Sequence, residues 1–261
     1  MKLSLLLKTF VLSSLVFAQA VSAQEVLHVY GPGGPAPAMR EAAQVFEQKT
    51  SIHVEITAGP TSAWLQQAKE NADMIYSGSE HMMSDFILAL EGQISSPKVE
   101  PLYLRPLALL VRPGNPKKIR GVRDLLKPGL NILVVNGAGQ TGAWEDMIGR
   151  SGEIEKVKAL RQNIKVAAKN SAEARQFWGQ EPQLDVWIIW NIWQIANPSL
   201  ADLVNIEPEY ALYRDTAIVP STRGETKPAL KAFRDFLKSE QGAEIFAHWG
   251  WKKNFKAESA Q

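Results

Sequence analysis

The hydrophobic pattern alternates between segments typical of strands and segments typical of helices. Three times in the first 90 residues, a short apolar run leads through a glycine- or hydroxyl-bearing loop into apolar positions at helical spacing. The predicted strands are VLHVY (26–30), SIHVEITAG (51–59) and DMIYSG (73–78), and the predicted helices cover 37–49, 61–70 (with Thr61 or Ser62 as N-cap) and 79–90. This order predicts an α/β fold with parallel strands and right-handed crossovers.

The alternation returns after Pro101, where the chain first enters a long extended run. Further strands are predicted at 102–113, from 131, and at 164–169, 185–190 and 215–221, with a helix capped by Asn170 and a long closing helix interrupted at Gly242. We interpret the long runs near 102–108 and 212–218 as two crossing strands. They divide the chain into one α/β lobe of residues 24–104 plus 214–261 and a second of residues 105–213, with a central cleft between them.

The amino terminus and the composition restrict the class of protein. Residues 1–23 show the basic start, apolar centre and small-residue end of a secretory signal peptide, so we expect cleavage after Ala23 and a periplasmic protein. No cysteine occurs. Removal of Lys2 and Lys8 leaves 27 basic and 27 acidic residues, which argues against nucleic acid or a polybasic membrane role. We expect a monomer.

Four loops join a strand end to a helix start and carry small or hydroxyl residues. They are GPGGP (31–35), AGPTSAW (58–64), SGSEH (77–81) and NGAGQTGAW (136–144). A helix N-terminus offers unpaired N–H groups and partial positive charge, while glycines let the backbone approach a ligand. Because ligands of open α/β sheets bind at the carboxyl ends of the strands, these loops predict a small anionic ligand in the cleft. None of them is a dinucleotide, P-loop or nucleophile-elbow motif.

The segments VYGPGGPAPAM, AGPTSAW, ADMIYSGSEHMM and NGAGQTGAWEDM together resemble the accessory colonization factor C family. The family is similar, more distantly, to bacterial molybdate- and sulfate-binding proteins. The resemblance implies a type II periplasmic binding fold that closes over a sulfate-like oxyanion and delivers it to a membrane transporter or chemoreceptor. The ligand-binding positions that it implies are Gly33, Gly34, Thr61, Ser62, Gln140 and Thr141.

Other residues near the predicted cleft complete the binding set. Arg105, at the first crossing, could pair with a carboxylate or sulfate in bidentate fashion. The set also includes Trp64, Ser79 and Glu80, and we consider Trp187, Trp190 and Trp193 as walls for a ligand larger than sulfate. In a second hypothesis the ligand is a dicarboxylate or an acidic amino acid such as aspartate, whose ammonium group Glu80 would hold.

An enzyme is the hypothesis of a different class. A hydrolase of sulfate or phosphate esters would need a nucleophile with a base, and Ser79, Glu80 and His81 are the available set. Neighbours in sequence rarely adopt the geometry of a triad, so we expect no enzyme. The four histidines share no metal-ligand spacing, and we expect neither metal nor cofactor.

Overall fold

The central feature of the structure, a computed structural model that describes residues 25–137 and 139–255, is a mixed sheet of nine strands. The predicted signal peptide and its cleavage site lie outside the described residues. The strands are β1 (Val26–Gly31), β2 (His53–Ala58), β3 (Met74–Tyr76), β4 (Glu100–Val111), β5 (Ile132–Val135), β6 (Ile164–Ala168), β7 (Val186–Trp190), β8 (Asp202–Val204) and β9 (Tyr213–Pro220). Their order is β2-β1-β3-β9-β4-β7-β5-β6, with β8 beside β4.

The sheet is parallel toward its two ends and antiparallel in its middle. β1 pairs in parallel with β2 and β3, and β5 pairs in parallel with β6 and β7. The two long strands predicted to cross differ from this pattern, since β9 runs antiparallel to both β3 and β4. The first half of β4 pairs with β9, and its second half pairs with β7 and β8. β4 and β9 therefore join the two halves of the sheet.

Nine helices of the described residues cover the sheet. They are α1 (Ala36–Thr50), α2 (Thr61–Asn71), α3 (Glu80–Ala89), α4 (Ala143–Gly149), α5 (Ile154–Asn163), α6 (Ser171–Gln180), α7 (Ile192–Ile195), α8 (Pro228–Lys238) and α9 (Glu240–His248). α5, the one-turn α7 and the short β8 were not predicted. No described helix is both long and apolar enough to cross a bilayer.

Helix ends test the predicted caps. Asn170 caps α6 as predicted, its side chain accepting a hydrogen bond from Glu173 N at 2.9 Å. The predicted cap of α2 is wrong, because the N-cap is Pro60 and no side chain accepts there. The closing helix breaks at Ser239 instead of Gly242, because the Ser239 hydroxyl caps α9 by accepting from Gly242 N.

The buried apolar side chains of the described residues form three clusters. The buried members of one cluster come only from residues 107–212, and those of the other two come only from residues 27–103 and 217–251. Each half of the sheet therefore has its own core, and the chain passes between the halves at β4 and β9.

Candidate functional site

A cavity of about 180 Å³ lies where the two halves of the sheet meet. The first half contributes residues 32–35, 59–61 and Met82, the second contributes Gln140, residues 170–172, Trp190 and Trp193, and Arg105 of β4 lies between them. These segments follow the carboxyl ends of β1, β2, β5, β6 and β7. The cavity is therefore at the edge where an open α/β sheet binds its ligands.

Three helix N-termini border this cavity. α1, α2 and α6 each begin in or directly after a lining segment, and each has at least ten residues. Their first N–H groups have no partner within the helix and carry partial positive charge. Pro35 is the N-cap of α1 and Pro37 lies in its first turn, where a missing N–H costs no hydrogen bond. The cavity thus offers donors suited to an anion without requiring several charged side chains.

Arg105 supplies a buried cation at the cavity wall. Its side chain is buried, and Nη2 donates to the Gly78 carbonyl at 2.9 Å. The guanidinium carbon lies 4.8 Å from the ring centroid of Trp190 and 4.6 Å from that of Trp251. Nε and Nη1 are buried and have no hydrogen-bond partner among the described residues. Because a buried donor without an acceptor is costly, these two groups point to a ligand that accepts from them.

A second arginine stacked on tryptophan shows what a structural role looks like in this protein. The Arg112 guanidinium carbon lies 3.7 Å from the ring centroid of Trp178. Nε, Nη1 and Nη2 of Arg112 all donate to backbone carbonyls, at 2.7, 2.9 and 2.5 Å. Arg112 is therefore satisfied within the fold, whereas Arg105 keeps two groups unpaired beside a cavity.

Glycines make room for the Arg105 side chain. A β-carbon would lie 2.6 Å from Arg105 Nη1 at position 34 and 2.9 Å from Nη2 at position 78. Burial lowers the pKa of Arg105 to about 9, and the nearby charge of Asp215 opposes that shift. The guanidinium is still cationic at neutral pH.

Gln140 and Ser171 link two loops of the second half of the molecule. Gln140 is buried, and its Nε2 donates to the Ser171 hydroxyl at 2.6 Å. The hydroxyl oxygen accepts this bond, so its own hydrogen remains available for a ligand. Both residues line the cavity.

Half of the predicted binding residues line the cavity and half do not. Those that line it are Gly33, Gly34, Thr61, Arg105 and Gln140, and those that do not are Ser62, Trp64, Ser79, Glu80 and Thr141. Trp64 is buried in the core of the first half, where its ring packs 5.2 Å from Phe86 and its Nε1 donates to the Gly59 carbonyl at 3.2 Å. Ser62 and Thr141 are exposed outside the lining.

The third predicted loop is directed mainly into the fold. The Ser79 hydroxyl is buried and caps α3 by accepting from Met82 N at 3.2 Å. Glu80 is exposed and lies near the Asp215 carboxyl, whose buried Oδ2 has no hydrogen-bond partner among the described residues. Burial and the neighbouring Asp215 raise the pKa of Glu80, and burial likewise raises that of Asp215. Met82 is the residue of this region that reaches the cavity wall.

The arrangement offers no catalytic set for the rival enzyme hypothesis. His81 Nε2 lies 3.9 Å from an Asp85 carboxylate oxygen, and no described contact joins the imidazole to the Ser79 hydroxyl. No group of three or more potential metal-ligating side chains occurs in residues 25–137 and 139–255.

Sequence reasoning omitted Asn170 and Ser171 from the binding set. The signal was present, because a predicted strand leads through Asn170 into a predicted helix, as in the four chosen loops. Trp190 and Trp193, considered as walls for a larger ligand, line the cavity, whereas Trp187 lies in the core. The packing of Trp251 on Arg105 had no local signal, because the two residues are distant in sequence.

Residues 27–252 match the family described as bacterial extracellular solute-binding protein. The chain belongs to this family. Its members bind solutes and are not enzymes, which confirms the prediction that the chain is not an enzyme.

Solved structures confirm the predicted fold class. PEB3 from Campylobacter jejuni is 32% identical, with a TM-score of 0.82 over 87% of this chain and 100% of that chain. PEB3 has also been solved bound to L-phospholactate, at 33% identity and the same TM-score and coverage. The sulfate-binding protein SubI from Mycobacterium tuberculosis, 18% identical, shares the fold with a TM-score of 0.70 over 87% of this chain and 86% of its own. The chain has the mixed α/β fold of type II periplasmic binding proteins.

A curated relative adds a weaker similarity. The sulfate-binding protein of Salmonella typhimurium is 26% identical over 178 residues, which cover 59% of this chain and 51% of that protein. The chain thus spans about half the length of the curated relatives that it matches.

Proposed function

We propose that this solute-binding protein captures a small anion in the cavity around Arg105. The observation that carries the proposal is a buried guanidinium with two unpartnered nitrogen groups, beside three helix N-termini. The residues that line the cavity include no aspartate or glutamate. Donors without a competing carboxylate favour a ligand that carries negative charge.

A sulfate-like tetrahedral oxyanion is the group that these donors suit best. Such an anion accepts from several directions at once, as helix N-termini and hydroxyls require. The similarity to sulfate-binding proteins supports this choice at about a quarter identity.

A small organic anion that carries such a group is the second candidate, and the cavity volume favours it. At about 180 Å³ the cavity is on the scale of a cavity of about 150 Å³ that holds a benzene molecule. That space exceeds what one bare oxyanion fills, and Trp190 and Trp193 add apolar wall. PEB3, which is 33% identical, has been solved with L-phospholactate. A phosphorylated or sulfated small carboxylate, or a dicarboxylate, fits these observations.

The acidic amino acid in the second hypothesis has weaker support. An ammonium group needs an acceptor or a negative charge in the cavity, and Glu80 was the predicted source. Glu80 is exposed, lies near the Asp215 carboxyl and is not among the residues that line the cavity. We therefore rank aspartate below the anions without an ammonium group.

We propose further that residues 24–104 with 214–261 and residues 105–213 act as two lobes that close on the ligand by bending at β4 and β9. Contacts between the two lobes support this. A β-carbon on Gly139 of the second lobe would lie 2.8 Å from the Ser79 hydroxyl of the first. Next to the β9 crossing, Arg214 pairs with Asp146 of α4 at 2.5 Å. We place the chain in the accessory colonization factor C group, as a periplasmic monomer that delivers its anion to a membrane transporter or chemoreceptor.

Isothermal titration calorimetry with sulfate, molybdate, L-phospholactate and aspartate tests the proposal. We expect binding of at least one of the first three, and loss of that binding in Arg105→Met. The matched control is Arg112→Met, which removes the satisfied arginine on Trp178 and should lower stability while leaving affinity unchanged. The proposal is wrong if the protein binds none of these anions, or if Arg105→Met and Arg112→Met lose affinity equally.

A further inference from the structure

A second pocket, of about 550 Å³, lies on the lobe of residues 105–213 away from the cavity around Arg105. It is formed by the connection between β4 and β5, and we call it the basic pocket. Its charged lining residues are Lys117, Lys118, Arg120, Lys127 and Asp124. The cavity around Arg105 lies beyond the carboxyl end of β5, and Leu130 at the amino end of β5 lines the basic pocket. The two sites are therefore at opposite ends of that strand.

The charge of this connection contrasts with that of the whole chain. Residues 112–130 contain six lysines and arginines and one aspartate, whereas the full sequence has a formal net charge of only +2. The single acid, Asp124, is bonded within the pocket, accepting from Arg120 N at 2.9 Å and from Lys127 Nζ at 2.6 Å, and Arg120 Nε lies 3.6 Å from its carboxylate. Lys117 lies 3.8 Å from Asp185, and Lys118 has no ion-pair partner among the described residues. The pocket thus keeps a surplus of positive charge.

The backbone that presents these cations is ordered by its own hydrogen bonds. Asn115 exchanges two side-chain bonds with the backbone of Ile119, at 2.7 and 2.9 Å. Asn163 at the end of α5 donates to the carbonyls of Leu125 and Lys127, at 2.8 and 2.7 Å. A cluster of lysines held on a fixed backbone is a better anion site than the same lysines on a mobile loop, because less freedom is lost on binding.

The backbone of Lys118 has a conformation that is unfavourable for a residue with a side chain. Its φ of +52° is in the left-handed region, which is unfavourable for a residue with a β-carbon. Glycine would avoid that cost, and the neighbouring turn residue Gly114 does adopt a positive φ. A lysine at this position is therefore an observation that favours a use for its charge.

We propose that the basic pocket is a second anion site, which binds a compact ligand with several phosphate groups. Four cations around one concave space match clustered phosphates, and lysine is a common phosphate ligand. The pocket offers no exposed aromatic or large apolar anchor of the kind that dominates protein interfaces, because the large hydrophobic residues found exposed are Leu88 and Ile154, which do not line it. The ligand is either free in solution or the headgroup of a phosphorylated lipid.

Titration with inorganic triphosphate tests the site. We expect wild-type protein to bind triphosphate and Lys117→Gln with Lys118→Gln to bind it at least about tenfold more weakly, since each lost charged hydrogen bond is worth about a factor of ten. The matched control is Lys252→Gln with Lys253→Gln, which removes two adjacent exposed lysines elsewhere and should leave affinity unchanged. Equal weakening by both pairs, or by neither, overturns the proposal.

Two further variants separate the sites and address folding. Arg105→Gln alters the cavity around Arg105, and Ser171→Ala replaces it if Arg105→Gln lowers the melting temperature. Triphosphate binding that survives in this variant belongs to the basic pocket. Lys118→Gly removes the charge while relieving the left-handed strain, so it should weaken triphosphate binding without lowering the melting temperature. Loss of binding in Arg105→Gln together with full binding in Lys118→Gly would assign triphosphate to the cavity and end the proposal.

Vesicle sedimentation distinguishes the two sources of phosphate. If wild-type protein binds triphosphate but does not sediment with vesicles that contain a diphosphorylated lipid, the ligand is free in solution. If it binds such vesicles and triphosphate displaces it from them, the ligand is the lipid headgroup. Binding to vesicles of phosphatidylglycerol alone, with no affinity for triphosphate, would mean general surface attraction and would overturn the site.

Discussion

Arg105 Nη1 lies only 2.6 Å from the place where a β-carbon on residue 34 would stand. The first loop after β1 and the first crossing strand thus meet at one point, and glycine at position 34 allows them to do so. The guanidinium at this point is buried and has two groups without a hydrogen-bond partner.

Gly34→Ala should displace Arg105 and weaken anion binding. The loss of one charged hydrogen bond corresponds to about 1.5–3 kcal/mol, or a factor of about 10 to 150 in the dissociation constant. Calorimetry with the best-binding anion measures the effect. Gly179→Ala is the control, because a β-carbon there would meet nothing within 4 Å and Gly179 does not line the cavity, so its affinity should stay within about twofold of wild type. Equal affinities for the two variants would contradict the role of Gly34.

Affinity should depend on pH through Arg105. Burial lowers the pKa of this guanidinium to about 9, and an anion binds its protonated form better. Affinity for sulfate should therefore be level from about pH 6 to pH 8 and should fall as pH rises through about 9, both in wild type and in Arg112→Met, which keeps Arg105. A level profile up to pH 10 would mean that the group keeps its proton, as arginines generally do.

Glu80→Gln should stabilise the protein at neutral pH. The pKa values of Glu80 and Asp215 are both raised in the folded protein. The folded state therefore gains stability from their protonated forms at pH values below the ordinary carboxyl pKa near 4. That stability is lost as pH rises through the raised pKa values. Removing one carboxylate should recover about 0.5 kcal/mol at pH 7, the scale of interactions between exposed charges, and less at pH 4.

Urea unfolding of Glu80→Gln at both pH values measures this difference. Glu145→Gln is the control, since Glu145 is also an exposed acid in the first turn of a helix. If both variants change stability equally at pH 7, repulsion between Glu80 and Asp215 is not the cause. The same variant tests the ligand: affinity for sulfate should stay level or rise, whereas an amino acid held by Glu80 would bind far more weakly.

Gly139→Ala should oppose closure of the lobes. A β-carbon there would lie 2.8 Å from the Ser79 hydroxyl and 3.0 Å from the end of the Met82 side chain, both in the other lobe. We expect anion affinity to fall at least about tenfold. Small-angle X-ray scattering with anion present should give a larger radius of gyration for Gly139→Ala than for wild type.

Gly142→Ala is the matched control for this effect. Gly142 has nearly the same positive φ, +75° against +77°, so both variants pay the same backbone strain. The nearest atom to a β-carbon on Gly142 is 4.0 Å away. If Gly142→Ala weakens binding as much as Gly139→Ala, strain in the loop is responsible and closure is not.

The helix starts at the cavity could be predicted because their signals are local. Glycine, proline and hydroxyl residues after an apolar run determine where a strand ends and a helix begins, and chain order places those ends at one edge of the sheet. Gly33, Gly34, Thr61 and Gln140 line the cavity for this reason. The same signal misled for Trp64, because the position of a residue in the first turn does not say which face of the helix meets the core.

The direction of a side chain at a loop depends on its partners. Ser79 follows a strand and precedes a helix as Ser171 does, yet the Ser79 hydroxyl caps its own helix, whereas Ser171 receives Gln140 in the cavity. A sequence shows that both residues can donate and accept, and it does not show which acceptor or donor will be within 3 Å.

The sequence by itself determined the α/β class, the crossing runs and the loops that supply helix N-termini, because each depends on neighbours within a few residues. Tertiary structure alone decided what Arg105 does. Trp251 stacks on it from the end of the chain, Gly34 and Gly78 make room for it, and no local acceptor takes its Nε and Nη1. The burial of Arg105 and its unpaired donors both result from contacts between segments that are distant in sequence. These contacts together make an arginine in an extended run the proposed anion-binding residue.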